Sequence, residues 1–592
     1  MTQFQLFIQM FPKLVLSPIK SQKVINANFP NEFNIIMKPY FKGHVTLLSW
    51  GFSFLIIFYL PIDISETTYR QCLHLKNFSL VVNNSISNVT NSSYCNKPFS
   101  YVNHQSLVVL WRTLYWTMQV LTWLLLPAMK SYVCSGEFRV SKKILYSIKN
   151  NILFYGAYLL ACIAFLIYLA VKSPDMLKFK NLMTLASAVS TTYGIFFMLP
   201  LLGYGLVNIP RHIFFIANYE HVLTSNYFQL SKINEEFEEA KMNMREIVSE
   251  SRAIDRLIPM DDVNRKCIEI VLLNLPPDVT ELDDANIEIV DVEAFTESNY
   301  VNLNRRLIQR KREYLRTKAK FHQHFTIAKK YRKIHETITS CDENINTKLF
   351  RFWHIACRRI AFYLIFGCML IMTFVIIWSE CTFFISKPIL SIFTIFHLYT
   401  RQHYLLAEGF YVLILSYMCY CTYSTVFNIK FLHYYYLSPD HLTDSYSLLF
   451  CGSTLCRLMP ALCLNFLCML QLDNSKIINK NLDTQTAFTE IMGHLSIVPF
   501  ITNGFNIYFP ILLIVICFLF LIKIENCLQR CCGIDVFSTQ QDDDVVFNRV
   551  ENGRLLVELD IDFVERQNRQ NRRRNVNKYD PISQSESLIL ND

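Results

Sequence analysis

The sequence predicts an all-α polytopic membrane protein, and three observations carry that prediction. Its apolar residues, 52% of 592, are gathered into long runs rather than spread along the chain. Only 18% of residues are charged, against about 25% in an ordinary soluble domain, and mean hydropathy is positive at +0.23. Glycine is scarce, 14 residues in all, which disfavours glycine-rich nucleotide loops. The same composition excludes a disordered chain, a collagen-like repeat and a small disulfide scaffold.

Crossing a hydrocarbon layer of about 30 Å takes ~20 mostly apolar residues, because an α-helix rises about 1.5 Å per residue. Eight windows meet that demand, near 44–62, 107–129, 151–171, 182–206, 358–378, 404–427, 446–470 and 504–524. A further apolar stretch, 381–398, is broken by Lys387 and Pro388 and reads as interfacial or re-entrant. The chain therefore divides into an atypical N-terminal segment (1–43), a first transmembrane bundle (44–206), a long insert (207–350), a second bundle (351–525) and a polar tail (526–592).

Two signals set orientation. All four Asn-x-Ser/Thr sequons, at Asn77, Asn83, Asn88 and Asn91, fall in the 63–106 loop between the first two spans. Glycans are added on the lumenal or extracellular side, so this loop is expected outside. Cys72 and Cys95 flank the sequons; in that oxidising compartment they either close a disulfide or remain two thiols. Counting from this loop places the 130–150 connection, the insert and the tail in the cytoplasm. The 130–150 connection agrees, with Lys130, Arg139, Lys142, Lys143 and Lys149 against Glu137 alone. The outer loop 172–181 dissents mildly through Lys172, Lys178 and Lys180.

The insert reads as a coiled-coil-like helical hairpin. Leu223, Tyr227, Leu230, Ile233, Phe237, Ala240, Met244 and Ile247 recur three and four apart, a heptad-like seam extending one helix out of the membrane until Pro259, Pro276 and Pro277. Leu303, Leu307, Tyr314, Phe321 and Phe325 repeat the spacing in a second arm. Residues 235–297 hold 18 acidic and 6 basic side chains, and 305–333 hold 12 basic and 1 acidic. Antiparallel arms would set these opposite signs face to face, whether as solvated faces or with 305–333 also meeting anionic lipid or acidic partners.

The tail shows no apolar period and is expected to be disordered. It carries an acidic dileucine pattern at Glu551, Leu555 and Leu556, and a tyrosine-based one at Tyr579 and Ile582. Clathrin adaptors read both kinds of pattern. Cys527, Cys531 and Cys532 follow the last span and are either palmitoylation sites or plain thiols.

Ionisable groups inside a span are costly and mark function or a structural pair. Arg457 lies eleven residues into its span, roughly 16 Å deep and near the midplane, with no acid at that depth elsewhere. It is either a buried strut, bonded to carbonyls near Pro460 or to the hydroxyls of Ser190, Thr191 and Tyr193, or a ligand contact. Arg112 sits nearer the outer face, where Asp63 and Glu408 are expected within reach. No nucleophile elbow, P-loop, zincin helix or kinase set occurs, so neither an enzyme nor a cofactor is expected, and no nucleic-acid partner either. His433, Asp440, His441 and Asp444 have metal-binding chemistry but fall in a short turn where such groups are ordinarily solvated.

LPIDIS at 60–65, GYGLVNIPR at 203–211, WSECTFF at 378–384, YSTVF at 423–427, YYYLSPDHLTDSYSLLF at 434–450, CRLMPALCLNFL at 456–467 and FTEIMGHLSIVPFITNGFNIYFP at 488–510 run in order across the membrane part. Together they resemble the limb-region-1/lipocalin-interacting membrane receptor family, in particular its limb-region-1 domain-containing protein 2 branch. The resemblance spans roughly 44–525 and implies nine spans with a long cytoplasmic insert after the fifth; Arg457, Pro460, Gly203 and Pro210 fall in the recurrent stretches. The N-terminus departs from it, since residues 1–43 offer only an apolar segment broken by Pro12, Lys13 and Pro18. For function, the resemblance implies a receptor-like or adaptor protein of the plasma membrane, or of endosomal or lysosomal membrane, tied to G-protein-coupled receptor signalling or receptor trafficking. The alternative from the residues is a transporter or lipid-handling protein with a cavity lined by Arg457.

Overall fold

A computed structural model describes residues 39–83, 95–172, 179–259, 265–280, 297–339, 345–382, 388–401, 403–428, 443–472, 485–492, 511–522 and 546–562, with a few single positions besides. Among the described residues every regular element is helical. Six helical stretches are long and apolar enough to cross a membrane: Gly43–His74, Val140–Lys172, Tyr193–Ala217, Lys348–Thr382, Tyr404–Phe427 and Ser445–Met469. The chain is an all-α, multi-pass membrane protein that lies in a lipid bilayer.

The first bundle is built from α1 (Pro39–Asn83), α2 (His104–Val120), α3 (Leu126–Cys134), α4 (Val140–Lys172) and α5 (Phe179–Ala217). Helix α2 starts where Asn103 accepts the backbone N–H of Gln105 at 3.3 Å, a side-chain cap for a donor left free in the first turn. A π-helical turn, Leu121–Leu125, joins α2 to α3 just ahead of Pro127, whose ring and missing N–H a regular helix would not accommodate there. The 107–129 window is thus crossed by three helical pieces rather than one.

The insert is the antiparallel pair α6 (Tyr219–Leu257) and α9 (Glu297–Thr339), with α7 (Arg265–Leu273) and the single turn α8 (Pro277–Thr280) at its far end. The seam read from the sequence is its interior. Leu230, Met244, Leu303 and Leu307 are no more than 1% exposed, and Phe237 stacks between Tyr314 and Phe321. Opposite charges meet across the pair at Lys320–Glu236 (3.7 Å) and Arg306–Glu250, and Lys318 of α9 meets Asp278 of α8. The hairpin is tied to the bundle at both ends. Its base is held by Arg358, which donates to the Tyr331 hydroxyl at 2.8 Å. Near its other end Asn304 donates to the Gly136 carbonyl at 2.7 Å, and Arg312 pairs with Asp444 at 2.8 Å. With both ends tied down, it lies across one end of the bundle.

The second bundle comprises α10 (Ile345–Phe352), α11 (Arg358–Thr382), α12 (Ile392–Tyr399), α13 (Tyr404–Asn428), α14 (Ser445–Met469), α15 (Ala487–Met492) and α16 (Ile511–Leu521). Helix α14 is its axis, buried on nearly every side between α1, α5 and α13. Among the described residues of the 381–398 stretch, Cys381 and Thr382 end α11 and Ile392 begins the eight-residue α12, roughly 12 Å long at 1.5 Å per residue and too short to cross. It is pinned instead, with Ser391 Oγ donating to the Met469 carbonyl at 2.9 Å and His397 Nδ1 lying 2.6 Å from the Tyr411 hydroxyl.

The expected disorder of the tail is corrected for one segment. Residues 546–562 form a helix, α17, lying against the hairpin. Val557 is fully buried with Leu223, Tyr227, Leu230 and Ala328, and Val550, Leu556 and Ile561 border them. An apolar period is therefore present at Val550, Val557 and Ile561, on turns where Arg554 and Glu558 draw the eye instead.

Candidate functional site

Three places gather polar chemistry. The first is a knot at the end of the bundle opposite the hairpin. Asp63 is fully buried and takes three donors: Trp111 Nε1 at 3.0 Å and the backbone N–H groups of Ala487 (3.0 Å) and Phe488 (2.9 Å). One carboxylate thereby ties α1 to α2 and to the start of α15. A turn later, Glu66 pairs with Arg70 at 2.7 Å and faces His104 at 3.5 Å, and His104 reaches Glu490 at 3.1 Å. Arg70 also donates to the Gln485 carbonyl at 2.7 Å. Cys72 and Cys95 form a disulfide beyond this knot, with Cα atoms 6.0 Å apart. Arg112 takes no part. Its side chain is exposed, the neighbouring Trp111 meets Asp63 in its place, and Glu408 accepts from Ser100.

The second place surrounds Arg457. It sits twelve residues into the 25-residue α14, about 18 Å along the axis and near the middle of the span. Beside it is a cavity of about 580 Å³ whose wall includes Trp123, Phe154, Tyr158, Phe165 and Tyr193. The π-helical turn presents Trp123, and the Arg457 guanidinium carbon lies 5.9 Å from its ring centroid, within cation–π range. Gly194 on α5 makes the close crossing possible: a Cβ there would stand 3.1 Å from the Arg457 carbonyl oxygen. No Asp or Glu lines this cavity among the described residues, and none of them gives the guanidinium a hydrogen bond or ion pair. Insertion measurements place the cost of a mid-span arginine near 2.5–3.5 kcal/mol, a penalty the aromatic face offsets only in part. The outer wall is thin, since Phe154, Tyr158 and Phe165 of α4 are each more than 40% exposed.

The third place is the hairpin with α17 on it. Arg549 pairs with Glu235 (3.4 Å), Arg332 with Glu558 (3.4 Å) and Lys329 with Asp560 (3.2 Å). Gly553 packs directly on α6; a Cβ at that position would lie 2.0 Å from the Tyr227 carbonyl oxygen. Glu551, Leu555 and Leu556 ride on this docked helix, Leu555 exposed and Leu556 half-buried.

The remaining sequence-derived residues are placed as follows. Asn77 and Asn83 belong to the last turns of α1. Asn88, Asn91, Cys527, Cys531, Cys532, Tyr579 and Ile582 lie outside the described residues, as do His433, Asp440 and His441. Asp444 caps α14, accepting the Tyr446 N–H at 3.2 Å. Among the described residues no cluster of three or more His, Cys, Asp or Glu is arranged to hold a metal ion. Sequence reasoning missed the Asp63 knot, although a lone acid closing an apolar run was its signal. It missed Trp123 as well, whose signal was Pro127 just beyond the π-helical turn.

Comparison with known proteins matches the sequence model for LMBR1-like membrane proteins to residues 32–524. The chain is 35% identical to the human G-protein coupled receptor-associated protein LMBRD2 over 566 residues, covering 89% of this chain and 81% of that one. It is 32% identical to the LMBR1 domain-containing protein 2 homolog of Drosophila melanogaster, covering 92% and 82%, and 27% identical to homolog A of Dictyostelium discoideum, covering 88% and 74%. No solved structure matches.

Proposed function

This chain belongs to the LMBR1-like membrane protein family, and on that premise we propose a non-enzymatic, receptor-associated role in G-protein-coupled receptor signalling, exercised through the hairpin and α17. The observation that carries the reading is the pairing of relatives named for receptor association with a large, charge-segregated helical assembly held rigidly across one end of the bundle. In this reading the hairpin end faces the cytoplasm and the loop bearing Asn77, Asn83, Asn88 and Asn91 faces outside. It takes eight crossings, those of the sequence windows, and the plasma membrane as the main site. Cys527, Cys531 and Cys532 would be acylated at the inner surface.

Receptor uptake supplies the second half of the role. Clathrin adaptors are the partners for Glu551, Leu555 and Leu556, and docking keeps Leu556 and the backbone at Gly553 against the hairpin, so the motif is read only once α17 lifts away. Tyr579 and Ile582 offer a second adaptor motif. Proximity labelling from an enzyme inserted between 281 and 296 tests the whole reading. Enrichment of receptors, arrestins or adaptors is expected; recovery of membrane-biogenesis factors alone contradicts it.

A further inference from the structure

We propose that the cavity beside Arg457 is a binding site for an amphiphile carrying one small anionic head, a carboxylate or a phosphate, with its hydrocarbon chain lying along α4. Three observations converge on this. Arg457 brings a permanent positive charge to the middle of the span, and among the described residues no carboxylate lines the space beside it. A planar guanidinium to which no described residue gives a hydrogen bond or ion pair matches an oxyanion bidentately. The space itself, about 580 Å³, lies within the 300–1,000 Å³ common to small-ligand sites, so it holds more than a bound water or two.

The wall chemistry fits the same ligand at both ends. The lining includes the polar side chains of Gln119, Thr122 and Tyr193. Phe154, Tyr158 and Phe165 of α4 add an aromatic flank. That flank is also the exposed face of α4, which packs chiefly on α3. A chain entering from the bilayer meets hydrocarbon-compatible rings first and the cation last, the order an amphiphile requires. A neutral lipid tail would fill the volume but leave the charge as it is, and a soluble anion would have to cross the apolar flank alone. The site is independent of the hairpin, so its success or failure leaves the receptor-associated role untouched.

Trp123 is the reporter. Full-length protein is purified into nanodiscs of zwitterionic lipid and titrated with dibromostearate, whose bromines quench indole fluorescence on contact; subtracting the Trp123→Phe signal isolates this ring. Saturable quenching by the acid is expected, with the methyl ester about tenfold weaker or more, the loss of one charge-assisted hydrogen-bonded contact. Arg457→Gln should show the same loss, and Arg457→Lys should keep part of the binding. A brominated phosphatidic acid forms the second arm: quenching that depends equally on Arg457 assigns a phosphate head, and quenching by the stearate alone assigns a carboxylate. Equal quenching by acid and ester, or none of Trp123 by any probe, overturns the proposal. Should Arg457→Gln fail to fold, the acid–ester comparison on the unaltered chain still decides. Cys162→Phe, which occupies the cavity while keeping the arginine, must then abolish the charge-dependent quenching.

Discussion

Asp63 and Arg457 are both ionisable groups enclosed by apolar helices, and the molecule treats them in opposite ways. Asp63 receives three donors from two segments, two of them backbone N–H groups, and every one of those contacts joins elements far apart in sequence. Arg457 stands in a cavity with an aromatic face beside it and no anion among the described residues. A buried charge whose valences are filled by its own chain is architecture, because removing it strands each partner. A half-buried mid-span charge to which no described residue supplies a partner contributes nothing comparable to the fold, so its presence calls for a ligand.

Breaking the satisfied member should have the largest effect. Asp63→Leu leaves the Trp111 indole and the Ala487 and Phe488 amides without an acceptor. It should cost about 3–5 kcal/mol, read as a lower melting temperature and poor maturation of the glycans. The docked tail comes next. A side chain at Gly553 has no room against the Tyr227 carbonyl, so Gly553→Val should cost about 1–3 kcal/mol of docking free energy. Hydrogen exchange over 546–562 should then accelerate about tenfold or more, and adaptor binding in pull-downs should rise; unchanged exchange would mean that α17 is not held at Gly553. The smallest effect belongs to the exposed pairs. Lys329→Ala removes the contact with Asp560 and should loosen the tail by no more than about 1 kcal/mol, less still at high salt.

The same contrast explains what could be read from the chain in advance. The seam of the hairpin was legible because helical burial imposes a three-and-four spacing, and Leu230, Met244, Leu303 and Leu307 obey it. The spans were legible by length, and Arg457 by the rarity of charge within them. Three things escaped. The Asp63 knot depends on α15, which approaches from more than four hundred positions away, a closure no local pattern encodes. The π-helical turn that presents Trp123 is a backbone adjustment just ahead of Pro127, whose presence inside an apolar window does not by itself say which form the adjustment takes. In α17 the apolar positions are few and the helix is amphipathic only against the hairpin, so composition concealed a period that Val550, Val557 and Ile561 do possess. Arg112 shows the reverse error, where a shared depth near the outer face suggested a pair with Asp63 or Glu408 and the helix turned the side chain outward.

Paired melts of Asp63→Leu and Arg457→Leu, purified in the same micelle without added amphiphile, test this account most directly. Asp63→Leu should melt several degrees below the unaltered chain, and Arg457→Leu at or above it, since exchanging a cation with no partner among the described residues for leucine removes a desolvation cost. An Arg457→Leu protein destabilised as deeply as Asp63→Leu would show that the arginine is a structural strut and that its cavity awaits no anion.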